Sequence, residues 1–219
     1  MGGHALTIGL AGGYCAGKNA VESLLRERGF TCFDLDRIGH EALALEETME
    51  AIAWRFGPGA LGPEGLVDRK ALGALVFGDP EGLADLEAIV HPAVYRLFKP
   101  RLEAEVAAGR DVCLNAALLH RMEEAKGCDF IIEVRAPLAI RVIRGCARDG
   151  LRIRDVLARI WSQRSFRKEL RLLGRPLRPL WNDGDRRTLE DRLERLLMAG
   201  SSTRAAVPAS DAASAKPST

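Results

Sequence analysis

The stretch Gly12-Gly13-Tyr14-Cys15-Ala16-Gly17-Lys18-Asn19 decides how the rest of this chain is read. Gly12 opens it, Gly17 follows after four intervening residues, and Lys18 comes next: the G-x-x-x-x-G-K spacing of a phosphate-binding loop. The spacing has a physical reason. Backbone amides must turn inward around phosphate oxygens, and a Cβ at the end positions would block that conformation or the close approach of the ligand. On one side lies a short apolar run with a β-branched centre, residues 5–10, and on the other a helical pattern over residues 18–28. Strand, loop and helix in that order put Lys18 at a helix N-terminus, where the dipole and the ammonium group both favour an anion.

The reading from this loop is ATP binding through Gly12, Gly13, Tyr14, Cys15, Ala16, Gly17, Lys18, Asn19 and Ala20. Tyr14 and Cys15 are expected to contribute backbone only, with side chains pointing away and no chemistry of their own. Residue 19 is asparagine, where such loops carry the serine or threonine that ligates magnesium. An amide carbonyl is also a hard oxygen ligand, so Asn19 is the candidate metal ligand, for Mg²⁺.

Working outward, Gly29 is placed to cap the first helix, and residues 30–35 read as a second buried strand closing on Asp36. Residues 37–110 carry almost unbroken helical patterning, far longer than a minimal crossover needs, and are expected to be an inserted helical substrate-binding domain. Two short strands are expected at 111–116 and 128–134, an amphipathic helix at 137–148, two short helices within 151–172, a last strand at 177–181 and a final helix at 185–198. The expected fold class is α/β: a P-loop NTPase-type open parallel sheet flanked by helices, its ligand crevice at the carboxyl ends of the strands. The nucleotide-binding core comprises residues 1–36, 111–135 and 176–200, and the lid residues 136–175. Residues 201–219 have almost no bulky apolar side chains and are expected to form a disordered tail.

Composition narrows the partners. A 219-residue chain with 47% hydrophobic content suits one ordinary core, and no run approaches the roughly 20 apolar residues that a membrane span needs. The expectation is a cytoplasmic protein, monomeric or weakly homo-oligomeric. Five widely spaced cysteines without a Cys-x-x-Cys pair read as reduced thiols. Net charge is only +2, yet residues 135–178 hold twelve arginines against Asp149, Asp155 and Glu169. That block calls for an anionic partner. Nucleic acid is a poor fit, because only Trp161 and Phe166 interleave with the arginines of the arm.

Asp34-Leu35-Asp36 supplies the acceptor side. Alternation along a strand would project both carboxylates to one side, with Asp36 at the sheet's carboxyl edge, where it takes the proton of an attacking hydroxyl or else caps the next helix.

In this context the chain resembles the dephospho-coenzyme A kinase family over residues 6–197. The resemblance is carried by Ile8-Gly9-Leu10-Ala11-Gly12-Gly13 into Gly17-Lys18, by Phe33-Asp34-Leu35-Asp36-Arg37-Ile38, by Asp68-Arg69-Lys70-Ala71-Leu72 and Val76-Phe77 before Asp79-Pro80, by Ile89-Val90-His91-Pro92, by Arg144, Arg148-Asp149 and Gln163, and by Trp181-Asn182-Asp183-Gly184. It implies transfer of the γ-phosphoryl group of ATP to the ribose 3′-hydroxyl of dephospho-CoA. Asp36 would be the general base, Lys18 the phosphate cation, Arg144 and Arg148 the lid groups, Asp34 and His91 substrate contacts, and Asn182 a contact near adenine. After the third strand the family has a proline and a downstream acid, whereas this chain reads Asn115-Ala116-Ala117-Leu118-Leu119-His120-Arg121. With Asn19, this places amides at both positions where metal-site oxygens are sought. A co-adapted branch of the family is the favoured explanation, a nucleotide-binding homologue with impaired turnover the other, and a different P-loop small-molecule kinase would share the same loop and arginines.

Overall fold

The computed structural model describes residues 5–117 and 119–204. The phosphate-loop unit is β1 (Thr7–Gly12), then α1 (Lys18–Glu27), then β2 (Thr31–Asp34). Four helices follow, α2 (Leu35–Leu43), α3 (Glu46–Phe56), α4 (Arg69–Val76) and α5 (Pro80–Ala107), before β3 (Val112–Asn115) and β4 (Phe130–Arg135). The arginine-rich stretch forms α6 (Leu138–Asp149), α7 (Ile153–Ser162) and α8 (Phe166–Leu172), and β5 (Leu177–Trp181) and α9 (Arg186–Arg204) complete the chain. All strand pairings are parallel, in the order β2-β3-β1-β4-β5. Every strand therefore ends at one edge, and the loops that leave that edge build the site.

Period-two alternation sorts the sheet's side chains into two layers. Ile8, Leu10, Cys113 and Ile132 pack with Leu24 and Leu25 of α1 and Leu189 and Leu193 of α9. On the opposite face Ala11, Phe33, Leu114 and Ile131 meet Ile38 and Ala42 of α2, Val94 and Phe98 of α5, and Leu170 of α8. Phe33 and Phe98 meet edge to face, ring centroids 5.2 Å apart. The helical stretch between β2 and β3 thus does two things: α2 and α5 cover the sheet, while Ile52, Ala60 and Leu72 form a small cluster of their own. Its helices start where the chain supplies caps. Asp68 accepts from Lys70 N and Ala71 N, and Asp79 accepts from Glu81 N with Pro80 at the first helical position.

Two expectations change. Strand β2 ends at Asp34, so Asp36 is not a strand residue; Asp34 caps α2 by accepting from Arg37 N at 3.0 Å, which turns the backbone one step earlier than period-two reading allows. The last helix does not stop at 198 but continues through Arg204. The remainder of the expected tail, residues 205–219, lies outside the described residues. Among the described residues no helix is long and apolar enough to cross a membrane.

Candidate active site

The loop between β1 and α1 is held in an unusual backbone form. Gly17 adopts φ 94 and Cys15 φ 57, both left-handed. For cysteine that region is sterically costly, and such residues are what curl consecutive amides into an anion-binding hollow. Gly17 has a second reason to be glycine: an added Cβ would lie 2.1 Å from Nδ2 of Asn182. Lys18 opens α1 beside this hollow. Burial pushes its ammonium below the usual lysine range, with Asp36, Asp34 and Glu22 pulling the other way.

Side chains from distant elements clasp the loop from above. Gln163, just after α7, accepts from Tyr14 N at 2.6 Å, and Arg141 Nε of α6 donates to Tyr14 O at 2.8 Å. Asn182 Nδ2 donates to Ala16 O at 3.1 Å, and Arg144 donates to Ala16 O at 3.3 Å and to Asn182 O at 3.2 Å. Arg148 lines the same cleft but is engaged by its neighbour, donating through Nε and Nη2 to Asp149 at 2.8 and 3.0 Å.

Opposite the lid, Asp36 reaches the cleft from the first turn of α2. Its Oδ2 accepts from Ala117 N at 3.0 Å, which fixes the carboxylate against the chain leaving β3. Asp34 stands beside it as the cap of α2, and Asn115, buried at the end of β3, is register partner of Asp34. Asn115 Nδ2 donates to Glu22, while its Oδ1 is buried without a partner. Asn19 and Ala20 are exposed on α1, and Asn19 lines the cleft.

Two hollows share Asp36. The phosphate cleft, about 690 Å³, is lined by the loop residues Gly12 to Asn19 with Asp34, Asp36, Asn115, Arg144, Arg148 and Gln163. The second, about 510 Å³, lies between α2, α4 and α5 and combines Leu35, Leu72, Val90 and Met122 with His40, Arg69, His91 and Arg121. A third, smaller hollow of about 290 Å³ is bounded by Gly17, Ala20, Leu24, Arg144, Asn182 and Gly184. His91 thus lies away from the loop, in the second hollow only. A carboxylate at the seam of an anion-binding cleft and an apolar hollow with cationic rims can deprotonate a hydroxyl presented from the second toward phosphate bound in the first.

The oxygens facing the cleft are hard: Asn19, Asp34, Asp36 and Asn115. They suit Mg²⁺, which takes few protein ligands and keeps waters and phosphate oxygens. Among the described residues no group of three or more His, Cys, Asp and Glu forms a preset metal cage.

A dephospho-CoA kinase family model matches residues 6–174. The chain belongs to the dephospho-CoA kinase family. The dephospho-CoA kinase of Staphylococcus haemolyticus (strain JCSC1435) is 34% identical over 191 residues, 87% of this chain and 93% of that protein. That of Symbiobacterium thermophilum is 38% identical over 167 residues, 75% of this chain and 70% of that protein. Among solved structures, TT1252 from Thermus thermophilus superposes with a TM-score of 0.74 at 36% identity, covering 90% of this chain and 98% of that one. The dephospho-CoA kinase of Campylobacter jejuni, at 20% identity and a TM-score of 0.58, covers 90% of this chain and 98% of that one and shares the fold.

Within this family frame the sequence reading overlooked Arg141 and Glu22. Arg141 had a signal: with Arg144 and Arg148 it follows the i, i+3, i+7 spacing of one helix face, so the three reach the loop together. Glu22 had none, since its partner Asn115 is far away in sequence. Tyr14 corrects the expectation of an idle side chain. Its hydroxyl donates to Asp149, and its ring lies under Arg148 and Arg159.

Proposed function

We propose that this protein transfers the γ-phosphoryl group of ATP to the ribose 3′-hydroxyl of dephospho-CoA, releasing CoA and ADP. The observation that carries the reading is the position of Asp36 at the seam of the two hollows, between the phosphate cleft and the cavity of α2, α4 and α5. The acceptor hydroxyl attacks the γ-phosphorus in line, its proton passes to the Asp36 carboxylate, and the bond from the γ-phosphorus to the β,γ-bridging oxygen breaks as ADP leaves.

The roles of the other residues follow from charge and place. Loop amides and Lys18 hold the β- and γ-phosphates at the N-terminus of α1. Arg144 and Arg148 neutralise charge on the equatorial oxygens, a task for which a permanently charged planar fork is suited. Asn182, with Gly17 and Gly184, bounds the hollow for adenine. The apolar body of the second hollow takes the acceptor's organic part, with His91 as a polar contact there and Asp34 on the phosphate-cleft side of the seam. Mg²⁺ arriving with ATP would be held by Asn19 with Asp34, and when bound it neutralises charge on the β- and γ-oxygens.

A coupled assay of ADP release over a panel of acceptors tests the reading. Dephospho-CoA should stimulate release well above the rate without acceptor, and nucleosides and shikimate-like alcohols should not. Equal ADP release with and without dephospho-CoA would overturn it.

A further inference from the structure

We propose that Tyr14 is a positioning residue, which sets the guanidinium of Arg148 at the phosphate cleft before nucleotide binds, through Asp149 and through its own ring. The proposal rests on the kinase reading above, in which Arg148 neutralises phosphate charge.

The geometry is a closed circuit between the loop and the lid. The phenol of Tyr14 donates to Oδ2 of Asp149, the last residue of α6. That carboxylate also takes the Nε–Nη2 edge of Arg148 at 2.8 and 3.0 Å, and Arg159 Nη1 of α7 lies 3.5 Å from its Oδ2. The same two arginines stack on the tyrosine, their guanidinium carbons 5.2 and 5.6 Å from the ring centroid. One ring and one carboxylate therefore fix two cations from two lid helices. The Tyr14 backbone is gripped as well, N by Gln163 and O by Arg141.

Room for the ring is made by Gly145. A Cβ there would lie 2.8 Å from Cγ1 of Val156 and 3.2 Å from Cε1 of Tyr14. Glycine in a helix interior is unfavourable through backbone entropy, and here its absent side chain lets α6 approach both α7 and the tyrosine. The charge states suit the circuit. Arg148, then Tyr14, hold the Asp149 carboxyl below the usual range, and desolvation, then Asp149, raise the phenol above its own. Acceptor and donor thus persist through neutral pH.

An arginine held along one edge keeps the Nη1 donors for phosphate, since its five N–H groups form a rigid fork. A long free side chain would lose rotamer freedom at each turnover, whereas one already ordered stabilises the transition state without that loss.

The test uses the full chain as wild type, Tyr14→Phe, Arg148→Ala and the double variant. Tyr14→Phe keeps the ring and its stacking and removes only the phenol bond. In nucleotide-free protein, ¹⁵Nε–H NMR of the arginines, with the Arg148 signal assigned by its loss in Arg148→Ala, should show a slowly exchanging resonance that exchanges faster in Tyr14→Phe. Turnover of dephospho-CoA should fall about tenfold in Tyr14→Phe with ATP affinity within about twofold, and Tyr14→Phe should cost nothing more on the Arg148→Ala background. An Arg148 signal unchanged by Tyr14→Phe overturns the proposal. So does an equal turnover loss on both backgrounds, or a loss explained wholly by weaker ATP binding. If the wild type phosphorylates no acceptor, the kinase reading fails and the NMR result alone decides whether Tyr14 positions Arg148.

Discussion

Asp36 stands on α2, whose Leu35, Ile38 and Ala42 are buried with Val94 and Phe98 of α5, whereas Arg148 rides on α6, where Gly145 is the buried residue. The lid leaves much of its apolar surface in water: Ile143 is 68% exposed, Ile153 60% and Leu172 77%. Its attachments to the loop are hydrogen bonds, ion pairs and stacked guanidinium groups. The two walls of one cleft are therefore held by different forces. The acceptor wall depends on non-directional burial that salt does not screen. On the other side α8 is anchored in the core by Phe166 and Leu170, but α6 and α7 grip the loop through directional, charge-dependent contacts that salt weakens and a ligand's phosphates can replace. Under the proposed kinase reading, a wall that receives a hydroxyl must stay in place, and one that closes over ATP must be able to exchange partners.

Substitutions can break this contrast. The largest effect is expected at Asp36: Asp36→Asn should lower turnover about a thousandfold with ATP binding and folding intact, because the amide oxygen can still accept from Ala117 N. Initial rates and calorimetric titration of ATP check it. Next comes Phe98→Ala, which empties a fully buried site against Phe33 and should destabilise the chain by about 3–5 kcal/mol, while Ile143→Ala on the lid should change stability by about 0.5 kcal/mol or less. Urea denaturation of the two variants compares the walls directly, and similar losses would remove the distinction.

A smaller effect is expected at Gly17, where the left-handed backbone and the 2.1 Å approach to Asn182 make Gly17→Ala cost about 1–3 kcal/mol and weaken ATP binding with it. Thermal unfolding with and without ATP reports both. The smallest concerns the base of the acceptor wall. Arg110, then Thr31, hold the Glu105 carboxyl down to about 2. A carboxylate whose folded value is depressed stabilises above its unfolded value and loses that contribution as pH falls. The stability advantage of wild type over Glu105→Gln should therefore be constant at neutral pH and shrink between about pH 5 and about pH 2. Denaturation midpoints measured across that window check it.

Local patterns made much of this legible. The loop of residues 12–19 and the strand Leu177–Trp181 were readable because their signals lie within a few consecutive residues. Asp36 lines the cleft, but from the first turn of α2 and not from the strand in which the sequence places it. The pattern Asp34-x-x-Arg37 contains the cap that starts α2, but two carboxylates two residues apart also fit a strand, and only the backbone turn at Asp34 separates the readings. The helices between β2 and β3 read as an insert, yet their periodicity was silent on what they cover. That α5 lays Ala93, Val94 and Phe98 on the sheet depends on partners from β1 to β4.

By itself the sequence determined a phosphate-binding loop between strand and helix, an α/β class, and an arginine-rich arm, because backbone geometry, side-chain periodicity and charge density are properties of short segments. Tertiary structure alone decided that Asp36 joins two hollows, that Asn182 and Arg144 close over Gly17, and that Tyr14 is tied to Asp149. Those pairings bring together residues that are remote along the chain, and their energies depend on distances that exist only once the sheet has brought its strand ends to one edge.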